Sequence, residues 1–175
     1  MKNKVPFTRV KPQAAISSVL LAALFFSLLT GCGFKLRGDY LLSPELQTLY
    51  VSSVDQHGEL TRIVKQQLSL YKVNVVKQSS KGIPQMHILA DTLDRRTLSV
   101  FPNGQVAEYE LIYAVQYQLR FDGQDSQTFA FEVNRDYQDD PNLPLAKSRE
   151  LSLMLSEMRI EASDRILRDM ATIHR

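Results

Sequence analysis

Residues 106–121 read VAEYELIYAVQYQLRF, and their alternation decides the fold class. Ala107, Tyr109, Leu111, Tyr113, Val115, Tyr117, Leu119 and Phe121 are apolar or aromatic, while Glu108, Glu110, Gln116, Gln118 and Arg120 take the opposite parity. Successive strand side chains point to opposite faces, so this period of two predicts a long strand with one buried and one wet face. Just upstream, Phe101-Pro102-Asn103-Gly104-Gln105 predicts a hairpin turn. Proline pre-sets φ for the first turn position, and Asn-Gly supplies the left-handed residues of a tight hairpin.

Working outward, Met86, Ile88 and Ala90 alternate before the hairpin, and Leu98 and Val100 resume the pattern after Asp94-Arg95-Arg96-Thr97. The arginine pair is therefore expected to interrupt the first hairpin strand. Downstream, Asp122-Gly123 reads as a turn and Phe129, Phe131 and Val133 as another strand. After Pro144 the period becomes helical: Leu151, Met154, Leu155, Met158, Ala162, Ile166 and Met170 fall on one stripe. Toward the N-terminus, residues 46–54 read as a strand, 58–71 as a helix with apolar positions 60, 63, 64, 68 and 71, and 72–76 as a second strand. This order predicts an α+β fold, with two helices packed on one face of a mixed, mostly antiparallel β-sheet. The predicted domain spans 44–175, and its 175-residue chain shows no internal repeat.

Ahead of the domain, Lys2, Lys4, Arg9 and Lys11 precede the uncharged run AAISSVLLAALFFSLL at 14–29. A basic stretch followed by an apolar one of this length predicts a secretory leader, short of the ~20 residues a membrane span needs. Leu29-Thr30-Gly31-Cys32 resembles the bacterial lipobox, in which a cysteine sulfur takes a diacylglyceryl group. The expectation is cleavage after residue 31, a lipid on Cys32, and a lipidated tether over 32–43. Cys32 is the single cysteine of the chain, and a thiol consumed by lipid has no need of a disulfide partner in an oxidising compartment. The alternative is a plain secreted protein with a free thiol. Two or three acyl chains make a durable membrane anchor. Gly33 stands where Asp resembles an inner-membrane retention signal in enteric-type lipoproteins, so the expected location is the outer membrane.

With the four leader cations removed, 17 basic residues face 19 acidic ones. Nucleic-acid binding needs clustered positive charge, and such a domain is a poor candidate for it. His57, His87 and His174 have no companions at metal-ligand spacing, and no G-x-S-x-G, G-x-G-x-x-G or P-loop is present. Neither cofactor nor catalytic activity is expected. Glu108 and Glu110 share a strand face and read as solvated acids sooner than an acid/base pair. Two basic features remain. One is Arg95-Arg96. The other is the set Arg135, Lys147 and Arg149 flanking the segment DYQDDPNLPLAKSRE. Such cations suit an anionic lipid headgroup, Arg bidentately and Lys as a point charge, although they equally suit ordinary solubilising charge.

GCGFKLRG, SVFPNGQVAEYEL and DYQDDPNLPLAKSRE together resemble the LPS-assembly lipoprotein family LptE. The carrying residues are Phe34, Leu36 and Arg37 after the cysteine, the V-F-x-N-G-Q-x-A-E-Y hairpin at 100–109, and the segment Asp139 to Lys147. The resemblance implies a small sheet with two helices and a non-enzymatic role. It implies a plug inside the outer-membrane β-barrel LptD and binding of lipopolysaccharide through basic residues, one corresponding to Lys147. The family's other basic position, in the hairpin, is here Pro102. That departure implies either that Arg95, Arg96 or Arg135 substitutes for it or that the direct lipid contact is weaker. An envelope-polymer enzyme and a structural lipoprotein without lipid ligand are the competing readings.

Overall fold

The computed structural model describes residues 42–173. The leader over 1–31, Cys32, the tether through residue 41 and His174 lie outside the described residues. A 3-10 turn at Pro44–Gln47 leads into β1 (Thr48–Ser53), α1 (Glu59–Leu70), β2 (Asn74–Val76), β3 (Gln85–Val100), β4 (Val106–Arg120), β5 (Gln127–Gln138) and α2 (Pro144–Thr172). The sheet order is β2-β1-β3-β4-β5. β1 runs parallel to both β2 and β3, whereas β3, β4 and β5 are antiparallel neighbours. Parallel neighbours need a crossover, and α1 provides the one between β1 and β2. The expected α+β sheet with two helices on one face is what the chain forms.

One hydrophobic core lies between helices and sheet. Leu49 and Val51 of β1, Leu60, Val64 and Leu68 of α1, and Met158, Ala162, Ile166 and Met170 of α2 close over Leu111, Tyr113, Val115, Tyr117 and Leu119 of β4. The stripes read from the sequence face this core, although Tyr71, Leu151, Met154 and Leu155 are only partly buried against it. α1 packs on β1 and β2, α2 packs on β4 and β5, and the helices pack on each other.

Four local expectations are corrected. β3 runs unbroken through Arg95-Arg96. The alternation falters because the register slips between Ile88 and Ala90. A bulge leaves one residue unopposed and reverses parity, so Met86 and Ile88 face the helices first, and Asp91, Leu93 and Arg95 do so afterwards. β5 continues past Val133 to Gln138, which puts Arg135 on a strand and not beside a loop.

β2 begins at Asn74, not at 72. Lys72 takes φ 62° to end α1, with its N–H on Ser69 O and the Val73 N–H on Leu68 O. That is a Schellman cap with Val73 packed into the core, built on Lys in a left-handed position usually held by Gly. In the hairpin turn only Gly104 is left-handed, at φ 83°, and Asn103 is not. The Gly104 N–H reaches Phe101 O at 2.9 Å and the Phe101 N–H reaches Gln105 O at 2.7 Å. A right-handed turn followed by a left-handed glycine is a three-residue hairpin loop with a bulge.

Candidate functional site

As consecutive residues of β3, Arg95 and Arg96 point to opposite faces, and the bulge sets which of them faces the helices. Arg95 stands opposite Leu111 and shares the helix-side face. Arg96 stands opposite Glu110 on the far face and forms a salt bridge with it. Arg135 stands opposite Leu111 from β5 and so joins Arg95 on the helix side. Strand spacing sets these two arginine backbones about 10 Å apart, across β4.

Lys147 reaches the same face from the first turn of α2. Its backbone carbonyl accepts the Tyr137 hydroxyl at 3.0 Å, and its ammonium lies 4.7 Å from the centroid of the Tyr137 ring. Arg95 lies 6.0 Å from the centroid of Tyr109, and Tyr109 pairs with Tyr137 across β4 and β5. The result is a row of two tyrosines carrying Arg95 at one end and Lys147 at the other. Cations over aromatic faces gain roughly 0.5–1 kcal/mol where water still reaches them, and here the rings fix where the charges sit. Burial pushes the Tyr137 hydroxyl above the ordinary tyrosine range, with Asp139 adding to the rise and Lys147 and Arg95 opposing it.

The neighbouring acids divide the cations by availability. Lys147 donates to Glu150 at 2.7 Å, which raises its pKa above the ordinary lysine value. Its three donors leave capacity for a second anion. Arg135 is held by Glu161 of α2. Arg95 is exposed beside Tyr109. Arg149, on the next residues of α2, is also exposed.

Sequence reasoning missed a polar network at the centre of the helix–sheet interface. The Tyr113 hydroxyl donates to Asp91 Oδ2 at 2.6 Å. Arg159 of α2 lies over the Tyr113 ring and pairs with Glu59 of α1. Burial, reinforced by Asp91, drives the Tyr113 pKa well above its ordinary value. Only the bulge turns Asp91 to the face of Tyr113, and a faltering alternation does not by itself locate that bulge.

The far face carries no catalytic pair. Glu108 accepts from Ser99 Oγ at 2.8 Å and Gln138 Nε2 at 3.2 Å, while Glu110 holds Arg96. His87 is half-buried, with Nδ1 2.8 Å from Ser52 Oγ. Among the described residues no cluster of three His, Cys, Asp or Glu could hold a metal ion.

Comparison with known proteins agrees with this architecture. The family model described as LptE, lipopolysaccharide-assembly, matches residues 46–170. The chain is 36% identical over 157 residues to the LPS-assembly lipoprotein LptE of Yersinia enterocolitica, covering 89% of this chain and 76% of that protein. It is 35% identical over 156 residues to the LPS-assembly lipoprotein LptE of Pectobacterium atrosepticum, covering 89% and 85%. The crystal structure of rare lipoprotein B from Shewanella oneidensis superposes with a TM-score of 0.67 at 47% identity, covering 71% of this chain and 94% of that one. The chain belongs to LptE, a family of lipopolysaccharide-assembly lipoproteins and not a known enzyme family.

Proposed function

We propose that this chain is an outer-membrane lipoprotein, acylated on Cys32 after removal of residues 1–31, that binds lipopolysaccharide and seats as a plug in the β-barrel LptD. The observation that carries the binding is the tyrosine row at the hairpin end of the sheet, with Arg95 and Lys147 above its rings. Lipopolysaccharide presents phosphates on a sugar scaffold, and Arg and Lys neutralise such groups by charge-assisted hydrogen bonds. Arg135 adds a third positive charge on the same face, while Arg96 on the far face serves its strand partner Glu110.

The plug reading rests on surface chemistry. A barrel lumen is lined with polar side chains, so its occupant needs a polar skin. The far face of β4 presents Glu108, Glu110, Gln116, Gln118 and Arg120, none of them in the hydrophobic core. A lipid on Cys32 confines the domain to the membrane surface and raises its effective concentration beside a membrane-embedded partner. Neither nucleic acid nor cofactor enters this reading.

The test is lipopolysaccharide binding by the purified full chain and its Lys147→Asp variant, read beside each melting midpoint. The expected result is an affinity loss of about tenfold or more, roughly 1.4 kcal/mol, with little change in melting. An unchanged affinity contradicts the proposal. LptD should also co-purify with the native protein in mild detergent.

A further inference from the structure

The cations and rings account for none of the apolar surface beside them. Among the described residues nine large hydrophobic side chains stand exposed, and five of them, Leu98, Val100, Phe101, Leu143 and Leu145, belong to the hairpin end or the start of α2. Scattered exposed leucines are ordinary, but a concentration at one end marks an interaction site. Phe101 and Pro102 of the hairpin tip share a hollow of about 310 Å³ with Pro141 and Asn142 of the loop before α2. The Asp139 N–H donates to Ala107 O at 2.9 Å and ties that loop to the base of the turn. Tip and loop therefore present one surface. The Tyr109 row lies three residues from Val106, where the turn begins, which is about 10 Å along the strand.

We infer that this apolar collar seats the acyl chains of an anionic amphiphile whose phosphates Arg95 and Lys147 hold. The inference rests on the lipopolysaccharide reading above and adds to it a subsite for the fatty part of the ligand. Charge complementarity selects the occupant. A ligand that is apolar at one end and phosphorylated at the other matches a surface that is apolar at its tip and cationic about 10 Å behind it. Pro102 beside Phe101 makes the tip itself apolar and leaves the charge to the row behind.

The test uses the full chain carrying Leu143→Ser and Leu145→Ser together. Both side chains are exposed, at 56% and 77%, so the fold does not depend on them, and a melting curve verifies this. Two probes are compared: purified lipopolysaccharide, and the same material stripped of its acyl chains with phosphates retained. The double variant is expected to lose about tenfold or more toward the intact probe and nothing toward the stripped one. Lys147→Asp is expected to lose affinity for both. An unimpaired double variant overturns the acyl subsite, whereas an unimpaired Lys147→Asp overturns the underlying binding reading. A wild-type chain that forms dimers abolished by the double substitution also overturns the subsite, since the collar then belongs to a second copy.

Discussion

The two halves of β4 read alike in sequence and differ in the fold. From Leu111 to Leu119 the helix-side residues are all at most 2% exposed, closed over by α1 and α2. From Val106 to Glu110 the same alternation continues, yet every residue is only half-buried. The strands outrun their helices. A strand pattern records which face is apolar, but whether that face is covered by this chain depends on helix placement. The uncovered stretch is also where Arg95, Lys147 and the apolar collar gather. The lower half is therefore core, and the upper half is the half-buried end to which the proposed binding face belongs.

Truncation separates the halves most strongly. Tyr117 is fully buried and stacks on Phe129 with centroids 5.0 Å apart. Tyr117→Ala is expected to cost about 3–5 kcal/mol by chemical denaturation, the range for emptying an aromatic site in a core. The contrasting change beside the upper half, Leu145→Ala in the first turn of α2, should stay within about 0.5 kcal/mol. Equal costs would mean that the tip is part of the folding core and would erase the distinction.

The polar network gives a smaller effect. Tyr113→Phe keeps the ring under Arg159 but leaves Asp91 Oδ2 without its donor, at a cost of about 1–3 kcal/mol. The same tyrosine, with Tyr117, predicts an alkaline limit. Burial raises both hydroxyls above the ordinary tyrosine value of 10.0. Their contribution is thus complete below about pH 10, where the unfolded tyrosine begins to ionise, and is lost as pH climbs through the higher folded values. The urea midpoint should fall above that pH, and less steeply in Tyr113→Phe. An identical slope in variant and wild type would remove this tyrosine from the account.

The comparison also shows what the residues announced. Element types, the helix stripes and the buried face of β4 were legible, because each depends on a period that spans many residues. The functional face was legible only in part. Lys147 stood out within a segment resembling a known family, but Arg95 and Arg96 read as one basic pair. The slip between Ile88 and Ala90 decides which of these two neighbours faces the helices. The same slip aims Asp91 at Tyr113. The slip shows in the sequence only as an apolar parity that changes between Ile88 and Leu93, which does not say on which residue the bulge sits. The tyrosine row was hidden for another reason: Tyr109 and Tyr137 meet only through strand pairing 28 positions apart.

The most direct measurement exploits these sequence neighbours. Arg95→Glu and Arg96→Glu change the same charge one residue apart, on opposite faces of β3. Titration of both full-length variants with lipopolysaccharide should show Arg95→Glu weakened about tenfold, and Arg96→Glu within about twofold of wild type. Equal losses in the two variants, or a larger loss for Arg96→Glu, would contradict a binding face on the helix side of the hairpin end.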